Sequence, residues 1–296
     1  MTAALLEPPR ERDQPGRTDV WLWIVLPPLA VLCLVFGLPI ADLVSDSFHD
    51  SNGPGQIGIG FTLENYRAFI TDPFFLRMLA ATFGLGVLVV GCCLLIGYPV
   101  AYYLARSTSR WRGIALFVVV SPLLVSAVVR NIGWFPLLGQ SGVVNWLLLS
   151  AGIIATPIRL VSNFTGVVIG LVHALLPFMI LTLTTVIQRI ESDLEEAAAN
   201  LGAGPWLVFL RVLLPLSIPG VVAGSLLVFT MAISAYTTPA ILGGNRVLVM
   251  ATYIAQQFRT VLDYPAGATA AALLLGFAAL LTVLALRLRT RGSETR

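Results

Sequence analysis

The chain has 296 residues, of which 57% are hydrophobic and only 11% are charged. A soluble domain usually carries about 25% charged residues, and its interior could not bury apolar surface on this scale. The formal net charge of +3, with all 18 basic residues being arginine, gives no sign of a nucleic-acid partner. Composition therefore excludes an ordinary soluble domain and predicts an all-α, polytopic membrane protein.

Apolar runs along the chain predict about six membrane-spanning helices, because a run of about 18 or more apolar residues is typical of a span. The predicted spans are residues 21–45, 77–104, 113–133, 163–187, 216–242 and 266–287. They divide the chain into an N-terminal tail, a transmembrane domain and a C-terminal tail, at 1–20, 21–287 and 288–296. A shorter apolar stretch, 143–158, contains Gly152 and Pro157, which favours a re-entrant or interfacial segment outside the membrane.

Arginine positions predict which side of the membrane each connection faces. Twelve arginines lie in the two tails and in the connections after the second and fourth spans, against six in the other connections. Short loops rich in arginine stay in the cytoplasm. We therefore expect a multi-pass membrane protein with both termini, and the loop at 188–215, on the cytoplasmic side.

Glycine and proline within the spans predict how the helices pack and bend. Gly166 and Gly170 are four residues apart, as are Gly220 and Gly224, and such spacing lets helix backbones approach closely in lipid. Prolines lie in or beside most spans, so we expect kinked helices.

Acidic residues are missing from the middle of the predicted spans. Asp42 and Asp46 lie at the outer end of the first span, and no Asp or Glu lies deeper. Ion-coupled transporters usually hold such groups near the midplane, so a secondary transporter or channel acting alone is disfavoured. His173 stands alone in the fourth span without a nucleophile or metal partner at a readable spacing, which argues against an intramembrane enzyme.

Two absences in the sequence bear on energy and cofactors. The chain has no Gly-rich phosphate-binding loop ending in Lys and Ser or Thr, so nothing in it obviously supplies energy. The three cysteines lie inside apolar runs without metal-ligand spacing, so we expect neither a metal nor another cofactor on this chain. They are Cys33, Cys92 and Cys93.

The loop at 188–215 begins with the pattern of a short, capped helix. Ser192 followed three residues later by Glu195 predicts a capping box, and three alanines follow in a stretch that favours helix. Gly202 is placed to end this helix in a left-handed turn. A helix with a smooth alanine face on a tight glycine turn is suited to lying in a groove of another protein.

The second half of the same loop predicts a second short helix. Gly204 and Pro205 mark its start, since proline is favoured at the first helical position. The residues that follow are mainly apolar, and we expect this helix to end near Pro215.

The loop resembles one found in permeases of ABC importers. There Glu-Ala-Ala is followed after three residues by Gly, and nine residues later by an aliphatic residue, any residue, Leu and Pro. The matching positions here are Glu196, Ala197, Ala198, Gly202, Val212, Leu214 and Pro215. Val212 is a mild departure, since Ile is commoner there. The resemblance implies that the first helix, including Glu195 and Glu196, couples the permease to a cytoplasmic ATPase.

Further segments resemble the spermidine/putrescine type of this family. They are residues 61–67, 121–134, 137–145, 236–244, 256–258 and 263–265. The resemblance implies the type I ABC importer permease fold and a non-catalytic transport subunit of the bacterial inner membrane. It also implies three partners: an ATPase dimer that binds the ATP and Mg, a second homologous permease, and a periplasmic or extracellular substrate-binding protein. Permeases for iron(III), thiamine, sulfate and phosphonate share this architecture and remain alternatives.

A few polar residues are candidates for contact with cargo or with a partner. Tyr236, Thr237 and Thr238 interrupt an apolar span beside a proline, so they suit either the substrate path or hydrogen bonds between helices. Asp42 and Asp263 could attract a cationic cargo to the outer mouth, although solvated loop charges fit the pattern as well. The candidate contacts for the binding protein are Arg130 and Trp134.

Overall fold

A computed structural model of the chain describes residues 17–244 and 246–293. Internal contacts divide the chain into two units, Met1–Ser45 and Asp46–Arg296. The described part of the first unit is helix α1, Arg17–Asp46, which ends on the first residue of the second unit and contains three prolines. Residues 1–16 of the predicted N-terminal tail lie outside the described part of the chain.

The second unit adds a short hairpin that hydropathy did not reveal. Strands β1 (His49–Ser51) and β2 (Ile57–Phe61) pair antiparallel, with His49 opposite Phe61. The helices of this unit are α2 (Glu64–Thr71), α3 (Pro73–Arg106), α4 (Trp111–Val120), α5 (Ala127–Leu138), α6 (Val143–Ser150), α7 (Phe164–Ile187), α8 (Ser192–Asn200), α9 (Pro205–Val208), α10 (Leu214–Ile233), α11 (Thr237–Leu242), α12 (Met250–Gln256) and α13 (Tyr264–Ser293). The segment Ser121–Leu124 is 3₁₀-helical, and Phe209–Leu213 and Gln257–Val261 are π-helical.

Within the described residues, six helical segments are long and apolar enough to cross a membrane. They are Ile24–Asp46, Pro73–Arg106, Ala127–Ser150, Phe164–Ile187, Pro205–Ile233 and Tyr264–Val283. The predicted number is confirmed, and the first, second, fourth and sixth segments lie within a few residues of their predicted bounds. The third and fifth differ.

Two of the matching helices start where local chemistry favours a start. Asp72 precedes α3, and its carboxylate accepts a hydrogen bond from the backbone N–H of Phe74 at 2.8 Å, with Pro73 at the first helical position. Asn163 precedes α7, and its side-chain oxygen accepts from the N–H of Gly166 at 2.9 Å. Both caps satisfy donors that the first helical turn leaves without a partner.

The third predicted span, 113–133, is wrong as a single helix. The chain forms α4, the 3₁₀ turn at Ser121–Leu124 and an extended Val125 before α5 begins. Pro122 lies at the start of that turn and has no N–H to continue an α-helix. Arg130 donates from Nη1 to the Pro122 carbonyl at 2.8 Å, which gives a carbonyl at the break a partner.

The candidate third span runs instead through α5 and α6. Residues 143–150 were predicted to lie outside the membrane, but by length and composition they belong to the candidate span Ala127–Ser150. Asn145 is fully buried at this point, and its side chain bonds the Gly139 carbonyl and both backbone polar groups of Ile158 at 2.9 Å each. These bonds fix the turn between α5 and α6 and the chain that follows.

The fifth segment starts earlier and ends earlier than the predicted 216–242. The helix ends at Ile233, and α11 begins only at Thr237. At this break the Ser234 hydroxyl donates to the Thr230 carbonyl at 2.8 Å, a local bond of the kind that bends helices. A polar segment therefore interrupts the apolar path.

The core of the second unit lies where α3, α7 and α10 pack together. Gly220 faces Val186, so that a Cβ on the glycine would lie 2.8 Å from the valine Cβ, and Gly224 faces the Met179 sulfur at the same distance. The close approach predicted from this glycine pair is confirmed for α10 against α7. Because these helices are packed tightly, the loop between them has fixed anchors.

Candidate functional site

The first short helix of the predicted coupling loop is α8, and it ends as predicted. Gly202 has a φ of +87°, in the left-handed region that favours glycine. Its N–H donates to the Ala199 carbonyl at 2.9 Å, and the N–H of Ala203 donates to the Ala198 carbonyl at 3.1 Å. These two bonds form a Schellman motif, which satisfies carbonyls at the helix end and fixes a tight turn.

The start of α8 differs from the predicted capping box. The helix begins at Ser192 itself, the residue before it is Glu191, and no side chain caps the end. The carboxylate of Glu195 points elsewhere: its Oε1 accepts from Nε and Nη2 of Arg106 at 2.9 and 2.6 Å, and its Oε2 accepts from the Tyr102 hydroxyl at 2.9 Å. Hydrogen bonds to a guanidinium are stronger than those to a neutral N–H, so the distant partner prevails over the local one.

The second short helix starts as predicted but does not end near Pro215. Gly204 precedes α9 and Pro205 is its first residue. The helical path then continues through the π-helical segment, where the N–H of Leu214 donates to the Phe209 carbonyl five residues back. Pro215 becomes the second residue of α10, where its missing N–H is tolerated. The loop is therefore continuous with α10 rather than joined to it by a flexible linker.

The outward face of α8 and α9 carries apolar side chains that the described residues of the second unit leave exposed. Leu201 is 90% exposed and Trp206 is 70% exposed, and Leu194 is also exposed. Glu196 and Ala197 lie exposed beside them on α8. Exposed apolar groups gathered in one place mark an interaction site more often than single exposed residues do.

The inward side of the loop rests on the last turns of α3. Tyr98, Tyr102 and Arg106 follow each other at intervals of four residues, and such residues share one face of a helix. Phe209 packs edge-on against Tyr98, with ring centroids 5.2 Å apart. Tyr98 also exchanges a hydrogen bond of 2.7 Å with the Ser217 hydroxyl of α10. The strip on α3 thus contacts α8, the π-helical segment and α10.

The remaining motif positions lie at the start of α10. Val212 and Leu214 are half-buried, and Leu214 packs against the core, whereas Pro215 is exposed. Leu213 between them is 2% exposed and belongs to the core. The C-terminal part of the motif therefore anchors the loop, while Glu196 and Ala197 face outward.

The predicted path residues Tyr236, Thr237 and Thr238 lie at the break between α10 and α11 but face different surroundings. Thr238 is buried and exchanges hydrogen bonds with the buried Asn131 of α5 at 3.1 and 3.3 Å. Thr237 is half-buried. Tyr236 is exposed, and the guanidinium carbon of Arg259 lies 5.6 Å from its ring centroid.

The candidates for the outer mouth are dispersed. Asp42 lies in α1, the helix of the first unit. Asp263 precedes α13 and accepts from the N–H of Ala266 at 3.2 Å, so its carboxylate caps that helix. Arg130 is half-buried against Pro122, and the ring of Trp134 packs edge-on against His173 with centroids 5.3 Å apart. These residues do not form one cluster within the second unit.

The protein-family comparison gives a match over most of the chain. The model described as binding-protein-dependent transport system inner membrane component matches residues 56–291. The chain belongs to this family. The family makes the chain a transport component of the inner membrane. The six candidate spans among its described residues make it a multi-pass membrane protein.

Curated relatives and solved structures agree with the family. The chain is 35% identical over 237 residues to the spermidine/putrescine transport system permease protein PotB of Salmonella typhimurium, covering 80% of this chain and 82% of the relative. It is 29% identical over 280 residues to the molybdenum transport system permease protein ModB of Mycobacterium tuberculosis, covering 94% and 98%. A bacterial ABC transporter that imports the acidic polysaccharide alginate superposes with a TM-score of 0.73 at 20% identity, covering 93% and 96%. This last match shows that the inner-membrane component has the ABC importer permease fold.

Several residues that contact the candidate residues of this inner-membrane component were not identified from the sequence. Arg106, Tyr102 and Asn131 hold candidate residues in place, and Arg259 covers Tyr236. One signal was available for Arg106, since it follows the predicted second span on the side predicted for the loop. Asn131 and Arg259 gave no such signal, because nothing in the sequence relates either residue to its partner.

Proposed function

We propose that this chain is a permease subunit of an ATP-driven importer for polyamines, spermidine and putrescine. The observation that supports polyamines as the cargo is the 35% identity with the spermidine/putrescine permease of Salmonella typhimurium. The chain works with a second homologous permease, a cytoplasmic ATPase dimer and a periplasmic or extracellular binding protein. Its own role is not catalytic, and ATP and Mg are bound by the ATPase.

The outward face of α8 and α9 is the surface that receives the ATPase. Glu196, Ala197 and the turn at Gly202 supply a charged group, a smooth helix face and a tight end, with Leu201 and Trp206 exposed beside them. A groove on a partner would cover these apolar groups and accept the helix. The alginate importer related in fold has been crystallised with a ligand-bound periplasmic protein, which supports a partner of that kind on the opposite face.

Transport follows from alternating access. The ATPase subunits close on ATP, α8 moves with them, and the continuous helix from Pro205 to Ile233 carries that movement into the membrane. To shift a two-state equilibrium from 1:99 to 99:1, closure must favour one permease state by about 5.5 kcal/mol. The absence of Asp and Glu from the middle of the six candidate spans agrees with an external energy source.

Reconstitution of the complete complex tests this function. The permease pair, the ATPase and the binding protein are placed in proteoliposomes, and ATP hydrolysis and uptake are measured with putrescine, spermidine, iron(III), thiamine or molybdate. We expect the two amines alone to stimulate both activities, and only with ATP. Uptake without the ATPase subunit would overturn the assignment of an ATP-driven importer. Stimulation by a non-amine alone would overturn the assignment of polyamines as the cargo.

An oxyanion importer is the second candidate. The relative from Mycobacterium tuberculosis is named for molybdenum transport. A pocket of about 440 Å³ in the second unit is lined by Arg159 and Arg246 together with Gln140 and Ser162, and two guanidinium groups suit an oxyanion. The molybdate arm of the reconstitution separates this candidate from the first.

A further inference from the structure

The link between Glu195 and α3 distinguishes two neighbouring carboxylates of α8. Glu196 is exposed, whereas the side chain of Glu195 is 15% exposed and that of Arg106 is 20% exposed. Both oxygens of the Glu195 carboxylate are occupied, Oε1 by Arg106 and Oε2 by Tyr102. Glu195 is therefore turned toward its own chain and leaves only Glu196 available to a partner.

The position of the pair suits a structural link. Arg106 is the last residue of α3, where a cation complements the negative end of the helix dipole, and Glu195 lies in the first turn of α8, where an anion complements the positive end. The partial burial of both groups shields the pair from salt more than an exposed pair would be shielded. Two helix ends that are 89 residues apart in sequence are thus joined by charge-assisted hydrogen bonds.

Helix α8 has few other attachments. Of its nine residues, only Glu195 and Ala198 are not exposed. Its covalent route into the membrane runs through the turn at Gly202 to α9 and α10, and Phe209 on this route packs against Tyr98 of α3. Among the described residues, the side-chain hydrogen bonds recorded between α8 and α3 all end on the Glu195 carboxylate.

We infer that Glu195 is a positioning residue that transmits movement of α8 to α3, so that α3 and α10 move together when the partner moves the loop. The inference rests on the proposed function, because it assigns a route for the force that the ATPase supplies. Without the link, movement of α8 would reach α3 only indirectly, through α10 and the contacts of Tyr98 with Phe209 and Ser217, and hydrolysis would continue while transport fell. Loss of coupling, rather than loss of partner binding, is the expected defect.

The test measures ATP hydrolysed per polyamine taken up in proteoliposomes that hold the complete transporter. Glu195→Ala and Arg106→Gln should each raise this ratio by about 5-fold or more, because each removes the charge-assisted contact. The ATPase should still co-purify in normal amount. The exchange Glu195→Arg with Arg106→Glu should give a lower ratio than either single variant, since it restores the ion pair, but not the wild-type ratio, because each charge then opposes the dipole of its helix end. Glu191→Gln is the matched control, because Glu191 is exposed next to α8 and makes no side-chain capping bond.

Each outcome decides between clear alternatives. If the single variants lose the ATPase on purification, Glu195 belongs to the docking surface and the inference fails. If their ratio equals that of wild type, the link carries no force and the inference also fails. If wild type itself shows no ATP-dependent uptake of any polyamine, the proposed function fails instead. Failure of the charge exchange alone is resolved by Glu195→Gln, which keeps the shape and should give a ratio between wild type and Glu195→Ala.

Discussion

At the scale of single residues, Tyr236 and Arg259 show how a cation is already held in the second unit. The guanidinium lies 5.6 Å from the ring centroid, within the range of a cation–π contact. A polyamine presents ammonium groups that can use the same face of the ring. Arg259 would then compete with the cargo, and leave the ring when cargo arrives.

This competition gives opposite expectations for the two residues. Tyr236→Ala should raise the KM for polyamine uptake by about 2- to 30-fold, which corresponds to a cation–π contact of about 0.5–2 kcal/mol. Tyr236→Phe should keep most of the affinity because the ring remains, and Arg259→Gln should lower KM. The measurement is initial uptake rate against substrate concentration in proteoliposomes. Equal effects of the Ala and Phe variants would show that the hydroxyl, not the ring, matters.

At Gly202 the expected effect of substitution comes from backbone strain and not from a steric clash of the new side chain. A Cβ at this position would meet nothing within 4 Å, but the φ of +87° costs an ordinary residue roughly 1–2 kcal/mol. Gly202→Asp adds only part of this strain, since aspartate tolerates the left-handed region better than most residues, but it also adds a negative charge at the end of α8, so we expect transport to stop while the protein stays in the membrane. Gly202→Asn, which tolerates the left-handed region without the charge, should keep part of the activity. Immunoblots of membranes and uptake assays provide both readouts.

Glu196→Ala tests the outward surface by removing one charge from an exposed position. We expect loss of transport together with reduced recovery of the ATPase in co-purification, because Glu196 has no partner among the described residues of its own chain. Gly204→Ala is the control, since its φ is not in the left-handed region and a Cβ there would meet nothing within 4 Å. Normal uptake by Glu196→Ala would contradict the docking assignment.

At the scale of elements, the packing of α10 on α7 depends on two small residues. A Cβ at Gly220 would lie 2.8 Å from the Cβ of Val186, so Gly220→Val forces the helices apart. We expect a loss of about 1–3 kcal/mol of stability, the usual cost of overpacking, seen as a lower Tm of the purified protein. Gly91→Val in α3 is the matched control, since a Cβ there would meet nothing within 4 Å. An equal fall in Tm for both variants would contradict close packing as the cause.

The helices that could be predicted well are those whose signal is local. Long apolar runs and caps at Asp72 and Asn163 define α3 and α7, and Gly202 defines the end of α8 because the left-handed turn favours glycine. The third span was wrong because Pro122 weakens the helix and Arg130 stabilises the resulting break from eight residues away. Hydropathy averages over such a break and does not detect it.

Two side-chain partners that the sequence did not reveal share one physical cause, which is their distance along the chain. The Ser192 and Glu195 spacing is a sound local pattern, yet Glu195 bonds Arg106 instead. Thr238 was open between substrate path and helix contact, and its buried partner Asn131 is 107 residues away. Pair contacts of this kind are decided by the fold, so a single sequence indicates the residue and leaves its partner unknown.

At the scale of the whole molecule, arginine placement predicts that the loop and the β hairpin face opposite sides of the membrane. Leu201 and Ile59 suit a test because their side chains are 90% and 98% exposed. In a cysteine-free background, a membrane-impermeant maleimide applied to intact spheroplasts should label Ile59→Cys and leave Leu201→Cys unlabelled. Lysed cells should label both. Labelling of Leu201→Cys in intact spheroplasts would reverse the predicted orientation.

The unbroken helical path from Pro205 to Ile233 also has a consequence of length. Its 29 residues extend about 43 Å at the usual rise per residue, whereas the hydrocarbon core of a bilayer is about 30 Å thick. A helix of this length that crosses upright would therefore extend about 13 Å beyond the lipid tails. A partner can reach α8 without displacing lipid, and a thicker bilayer would draw α8 toward the headgroups and shorten that reach.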